Sequence, residues 1–128
     1  MIRGPAGIGR VAAVAQDDIA EVATIVLSSP TSHLGATYDL TGPEALTLDE
    51  VAATIGAATG RSITYRPESL EEAYGSRASF GAPDWQVDAW VSTYTAIAAG
   101  ELAGLSDAVP NITGHPATSL ADLLTAAG

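Results

Sequence analysis

The stretch from Tyr38 to Gly60, YDLTGPEALTLDEVAATIGAATG, constrains the fold of this chain more than any other. Tyr38, Asp39, Leu40 and Thr41 are compatible with an extended backbone and stop at Gly42-Pro43, a turn pair. Thr47 stands three residues before Glu50, the spacing of a capping box at a helix start. Leu48, Val51, Ala52 and Ile55 follow at i, i+3, i+4 and i+7, which places them on one helix face. Gly60 supplies a left-handed residue to end that helix. A short strand, a tight turn and a one-faced helix make half of an α/β layer. The stretch carries no chemistry of its own, but it calls for a sheet with neighbours.

The segments around it extend the pattern. Gly4-Pro5-Ala6-Gly7-Ile8-Gly9 invites a phosphate-loop reading, but its spacing is G-x-x-G-x-G and not the dinucleotide G-x-G-x-x-G. No strand precedes it, and the next segment, RVAAVA from Arg10 to Ala15, reads as a short strand. Phosphate binding needs helix amides aimed at the ligand, so the glycines read as a turn. Asp18 to Leu27 is predicted helical, with Asp18 as cap, Glu21 at the capping-box position and Ile19, Val22, Ala23, Val26 and Leu27 on the apolar face. Asp17, Asp18 and Glu21 could serve acid–base or metal chemistry; the helix dipole gives them the simpler role of a solvated helix end. His33 lies in a polar loop, Ser28 to Gly35.

Beyond Gly60, Ser62 to Arg66 alternates as a strand, with Ile63 and Tyr65 on one side, and Pro67 ends it. Ser69 and Glu72 repeat the capping-box spacing before Leu70, Ala73 and Tyr74. Asp84 is placed to cap a longer helix reaching Ala99, with Val87, Trp90, Val91, Tyr94, Ile97 and Ala98 on one face. Residues 101 to 117 read as loop and short turns. Ser119, with Asp122 three residues on, opens a last helix. Strands alternating with helices define an α/β fold with a parallel sheet and a helical C-terminal lobe.

Composition removes several function classes. The 128 residues carry a formal net charge of -10, and the five basic residues are all arginine. They are spread from Arg3 to Arg77 without a run, so neither nucleic acid nor an anionic membrane surface is an expected partner. There is no cysteine, hence no disulfide, thiolate nucleophile or cysteine metal site. Two isolated histidines make no zinc site, and no metal is expected. No run approaches a membrane span and residues 1–10 contain no apolar signal core, so the expected location is cytoplasmic. The G-x-S-x-G nucleophile elbow is absent. Without lysine there is no Tyr-x-x-x-Lys pair, so Tyr74 and Tyr94 lack the cation that activates tyrosine in many dehydrogenases. Asn111-Ile112-Thr113 matches a glycosylation sequon that has no meaning without a secretory signal.

Four segments occur in a telling order: Ile2 to Gly7 (IRGPAG), Arg10 to Ala15 with Asp17 to Ala20 (RVAAVA, DDIA), Tyr38 to Pro43 with Leu46-Thr47 (YDLTGP, LT), and Thr113 to Leu120 (TGHPATSL). Together they resemble the C-terminal half of the NmrA-like atypical short-chain dehydrogenase/reductases, in the NAD(P)H-dependent quinone oxidoreductase-like branch. The resemblance spans nearly the whole chain. It implies the C-terminal part of a Rossmann-like parallel sheet plus a substrate-side lobe. Residues 1–60 would supply strands and helices of the nucleotide-binding domain, and residues 61–128 the mostly helical lobe. It implies hydride transfer from NAD(P)H to a quinone or similar small electrophile. The family's G-x-x-G-x-x-G loop and most of its cofactor contacts belong to an N-terminal half not present here, so this chain alone is expected to bind NAD(P)H weakly and to be inactive. A non-catalytic NAD(P)-sensing regulator and a stand-alone acidic interaction module are the alternatives.

Two further expectations concern the site and the assembly. Tyr74, Trp85, Trp90 and Tyr94 are the candidates for a substrate pocket, because Tyr and Trp combine apolar faces with polar tips. Trp90 and Tyr94 share the helical stripe of Val87 and Val91, which favours a plain core for both, whereas Trp85 falls off that stripe and is the better pocket candidate. The strands Arg10 to Ala15 and Tyr38 to Thr41 read as interior parallel strands. With their edges open, a homo-oligomer or a complementing N-terminal Rossmann half is the expected partner.

Overall fold

The computed structural model describes all residues from Met1 to Gly128. The elements in chain order are β1 (Ile2–Gly4), β2 (Arg10–Val11), α1 (Gln16–Ser28), a 3-10 turn (Pro30–His33), β3 (Leu46–Thr47), α2 (Leu48–Thr59), β4 (Tyr65–Pro67), α3 (Leu70–Ala78), α4 (Asp84–Ala98), α5 (Ala108–Thr113) and α6 (Leu120–Ala127). The class is α/β, as the alternating pattern implies. Two compact units are built from interleaved stretches: Met1–Val11 with Leu46–Ala103, and Ala12–Ala45 with Gly104–Gly128.

In the first unit β1 and β4 pair in parallel, with Ile2 opposite Tyr65, Arg3 opposite Arg66 and Gly4 opposite Pro67. Pro67 is the last residue of β4, the place where it was expected to end the strand. A two-stranded sheet tolerates it because proline fits an edge, where no ladder hydrogen bond is demanded of it. β2 and β3 pair antiparallel, Arg10 with Thr47 and Val11 with Leu46. The core gathers Ala6, Leu48, Ala52, Tyr65 and Ile97, with Ile2, Val11, Val51, Ile63 and Tyr94 packed around them. The predicted face of α2 is the one that turns inward, since Leu48 and Ala52 are buried and Val51 and Ile55 half-buried. The Tyr65 hydroxyl satisfies itself inside this core by donating to Gly4 O at 2.8 Å and accepting from Ala6 N at 3.2 Å.

Both predicted capping boxes form: Thr47 with Glu50 on α2 and Ser69 with Glu72 on α3. Gly60 closes α2 at φ 66°. The cap of α4 differs from expectation. Pro83 holds the N-cap position and Asp84 is the first helical residue, a place where proline just ahead of the first turn leaves no extra donor unpaired.

In the second unit α1 packs on α5. Several expectations are corrected here. Tyr38 to Thr41 is not a strand. It runs beside Ala12 and Ala13 through a single backbone bond, Gly42 N to Ala12 O, and is anchored by Thr41 Oγ1, which accepts from Ser106 N at 3.1 Å. The predicted strand from Arg10 to Ala15 shortens to Arg10–Val11 and is antiparallel, so neither segment is an interior parallel strand. α1 begins at Gln16 behind Ala15, and Asp18 is not its cap. The buried face of the helix is accordingly rotated: Asp18 and Val22 point inward, whereas Ile19 and Leu27 are exposed. Residues 108–113, expected as loop, form α5, closed by Gly114 at φ 81°. Ser119 caps α6 by accepting from Asp122 N. No helix is long and apolar enough to cross a membrane.

Candidate functional site

The parallel register of β1 and β4 sets one end of the site. It brings Arg3 beside Glu68, the residue immediately after β4. Glu68 then precedes the cap of α3, and Arg77, the penultimate residue of that helix, turns back towards it. Glu68 Oε1 accepts from Arg3 Nε at 2.7 Å and Oε2 from Arg77 Nη1 at 3.1 Å. The Glu68 side chain is fully shielded from solvent and that of Arg77 is 10% exposed. Burial pushes the Glu68 carboxyl up, but the hydrogen bonds from Arg77 and Arg3 outweigh it and hold the group below the ordinary carboxylate value. Arg77 Nη1 also donates to Ala73 O at 2.8 Å and Ser76 Oγ at 3.1 Å, and its guanidinium lies over the Tyr94 ring, 5.4 Å from the centroid.

Beside this cluster α4 and the end of α3 frame a groove of about 660 Å³. Its walls are aromatic and aliphatic: Phe80, Trp90 and Tyr94, with Leu48 and Ile97 below. Thr93 and Arg77 are its polar members. Phe80 and Trp90 meet edge to face with centroids 6.0 Å apart, a preferred arrangement of aromatic quadrupoles. A volume of that size suits a small ring system.

Two of the four residues named from the sequence, Trp90 and Tyr94, line this groove. Tyr94 also packs against the core cluster, so it serves both roles that periodicity left open. Tyr74 lies elsewhere, in a more polar groove of about 500 Å³ with Asp84, Val87 and Asp88. There it donates to Asp88 Oδ1 at 2.9 Å, a bond that raises its phenol above the ordinary value. Trp85, the better pocket candidate by its spacing, lines neither groove: it is 70% exposed, because a residue off the packed stripe of α4 turns to solvent. Phe80 and Arg77 are the additions. Phe80 sits between α3 and α4 with no periodicity to mark it. Arg77 has a local signal only in its position near a helix C-terminus.

The glycine segment plays a packing role around the same groove. A Cβ on Gly4 would stand 2.5 Å from the Tyr94 ring, and one on Gly9 would collide with the Ile97 carbonyl. These glycines admit α4 to the sheet and hold Tyr94 and Ile97 in place. No helix N-terminus follows them, and the space before Gly4 and Gly9 is filled by protein. The segment does not fit a dinucleotide pyrophosphate, which needs amides on an open helix end.

A second cluster belongs to the other unit. Asp18, 3% exposed, accepts from Thr118 N at 2.7 Å and Thr118 Oγ1 at 2.9 Å. His115 Nδ1 faces Pro116 O at 2.9 Å and Nε2 faces Glu21 Oε2 at 2.7 Å. The carboxylates at the start of α1 are thus connectors to the segment ahead of α6. His33 Nδ1 shares a 2.7 Å hydrogen bond with the Tyr38 hydroxyl.

The fold is α/β, and the chain is similar over nearly its whole length to part of several NAD(P)-binding oxidoreductases. The chain is 38% identical to NAD(P)H azoreductase of Xenophilus azovorans over 122 residues, 95% of this chain and 42% of the relative. It is 32% identical to quinone oxidoreductase 2 of Escherichia coli over 119 residues, 93% of this chain and 41% of the relative. The crystal structure of an Escherichia coli NADPH-dependent quinone oxidoreductase complexed with NADPH superposes with a TM-score of 0.88 at 30% identity, covering 98% of this chain and 44% of that one. No family model matches the chain. The chain matches the C-terminal part of NmrA-like, quinone oxidoreductase-like proteins. It spans less than half the length of the relatives it matches.

Proposed function

We propose that this chain forms the acceptor side of an NAD(P)H-dependent reductase, and that the groove of Phe80, Trp90 and Tyr94 receives a quinone or a similar small planar electrophile. The observation that carries this is the groove itself, an aromatic-walled space of about 660 Å³ with few polar groups. The printed activities of the relatives, on quinones and azo compounds, support the same acceptor class. Flat unsaturated rings stack on aromatic faces and lose water as they enter. In functional terms the division falls near residue 60. Residues 1–60 complete a nucleotide-binding sheet, and residues 61–128 carry the acceptor side, with Leu48 reaching the groove from α2.

The chain's own contribution is to bind, orient and desolvate the acceptor. When bound, NAD(P)H supplies the hydride; the glycine segment Gly4 to Gly9 is not its pyrophosphate site, and tight binding by this chain alone is not expected. The test uses the Trp85→Phe variant, in which Trp90 is the sole indole. Titration with 1,4-naphthoquinone quenches its fluorescence saturably if the proposal holds. Quenching that rises linearly with quinone, as for collision with an exposed indole, contradicts it.

A further inference from the structure

Arg77 is 8% exposed, yet it lines the groove. Its donors are unevenly used. Nη1 serves Glu68, Ala73 and Ser76, while Nη2 makes one long bond of 3.4 Å to Arg3 O and Nε makes none. No side-chain nitrogen is buried without a partner, so the unspent N–H groups of Arg77 are open to solvent at the wall of an apolar groove and free to take an acceptor. The charge points the same way. Arg3 and Arg77 share the single carboxylate of Glu68, so this cluster, which reaches the groove through Arg77, carries one net positive charge in a chain whose net charge is -10.

Resting on the acceptor-side reading above, we infer that the groove selects planar aromatic acceptors carrying an ionised oxygen on the ring, with Arg77 as the group that receives it. The aromatic walls of Phe80 and Trp90 hold the ring. The guanidinium, fixed by Glu68 and by stacking on Tyr94, presents its remaining N–H groups to the oxyanion. A charge-assisted hydrogen bond in a shielded place is stronger than a neutral one, and Arg77 is already oriented, so little freedom is lost on binding. Arg77 acts here in binding and selection; no covalent step is assigned to it.

The probes are two naphthoquinones that differ in charge: 2-hydroxy-1,4-naphthoquinone, ionised at neutral pH, and its 2-methoxy ether, which cannot ionise. Both are titrated into the Trp85→Phe chain at pH 7 and low salt. The hydroxy compound is expected to bind roughly tenfold more tightly, as a charge-assisted bond requires, and the advantage is expected to shrink with added salt. Arg77→Gln should abolish the preference while the methoxy compound still binds. Because Arg77→Gln leaves the Glu68 carboxylate with Arg3 alone, the Glu68→Gln/Arg77→Met double variant, which removes both charges, provides a second background. If both compounds bind equally to the parent chain, the charge selection is refuted and the acceptor groove stands. A preference that survives in a folded Arg77 variant also refutes it. If neither compound quenches saturably, the acceptor-side reading itself fails.

Discussion

Glu68 accepts from Arg77 Nη1 at 3.1 Å while shut off from solvent, and the same carboxylate holds Arg3 Nε at 2.7 Å. This joins β1, the end of β4 and α3 through one side chain. Glu68→Ala leaves the buried Arg77 charge uncompensated, which should cost about 3–5 kcal/mol of folding stability. Arg3→Ala should cost far less, because Arg3 is 42% exposed and Glu68 keeps Arg77. Urea unfolding of the two variants checks the order.

The acid limb of stability follows from the same carboxylate. Although burial alone would raise it, the bonds from Arg77 and Arg3 place the folded Glu68 below its ordinary value of 4.5. Its contribution is therefore complete above that value and is lost as pH falls through the lower, folded value. Unfolding free energies measured from pH 6 downward should drop more steeply in the parent chain than in Glu68→Gln.

His115 should act in the opposite direction. Its two ring nitrogens face a carbonyl and a carboxylate, neither of which can donate, so the surroundings favour the protonated ring. The Pro116 carbonyl first, then Glu21, raise it above its ordinary value of 6.5. Its contribution is complete below 6.5 and fades as pH rises through the higher, folded value. His115→Gln should remove that alkaline decline, and the titration of the ring followed by NMR should show the raised midpoint.

The two packed glycines should respond differently to a methyl group. Gly9→Ala meets backbone of α4, which cannot give, and should cost on the order of 1–3 kcal/mol. Gly4→Ala meets the Tyr94 side chain from Cγ to Cε1, so the ring that lines the groove must be displaced. It should weaken quinone binding more than it lowers the melting temperature, and paired melts and titrations separate the two effects.

The self-association proposed from the sequence keeps a different structural basis. A two-stranded sheet is marginal on its own, and Phe80 and Trp85 are 71% and 70% exposed. Light scattering coupled to size exclusion should report a mass above that of one chain. A monodisperse monomer with a sharp cooperative melt would favour the stand-alone module.

What could be read in advance was local. The boxes at Thr47/Glu50 and Ser69/Glu72 involve residues three apart, so their chemistry is complete within one turn. The stripe from Val87 to Ile97 on α4 was legible for the same reason. The strands were not. Tyr38 to Thr41 has strand-like residues, but Tyr38 and Asp39 are exposed, and the segment's anchor, Ser106, lies 65 positions away. β1 hides between a terminal methionine and a glycine-proline pair, and its partner β4 is equally remote. The site divided along the same line. Helical spacing put Trp90 and Tyr94 on the core stripe and favoured Trp85 for the pocket, whereas the groove is lined by the first two. The Arg3–Glu68–Arg77 cluster depends on the register of two distant strands, and no window of sequence contains it.

The most direct test of the acceptor groove uses the two tryptophans as reporters. Trp90 lines the groove and Trp85 does not, so their indole N–H resonances should separate on titration of the ¹⁵N-labelled chain with 1,4-naphthoquinone. The account predicts that the Trp90 signal moves saturably while that of Trp85 stays in place. Movement of Trp85 alone, or of neither, would contradict it.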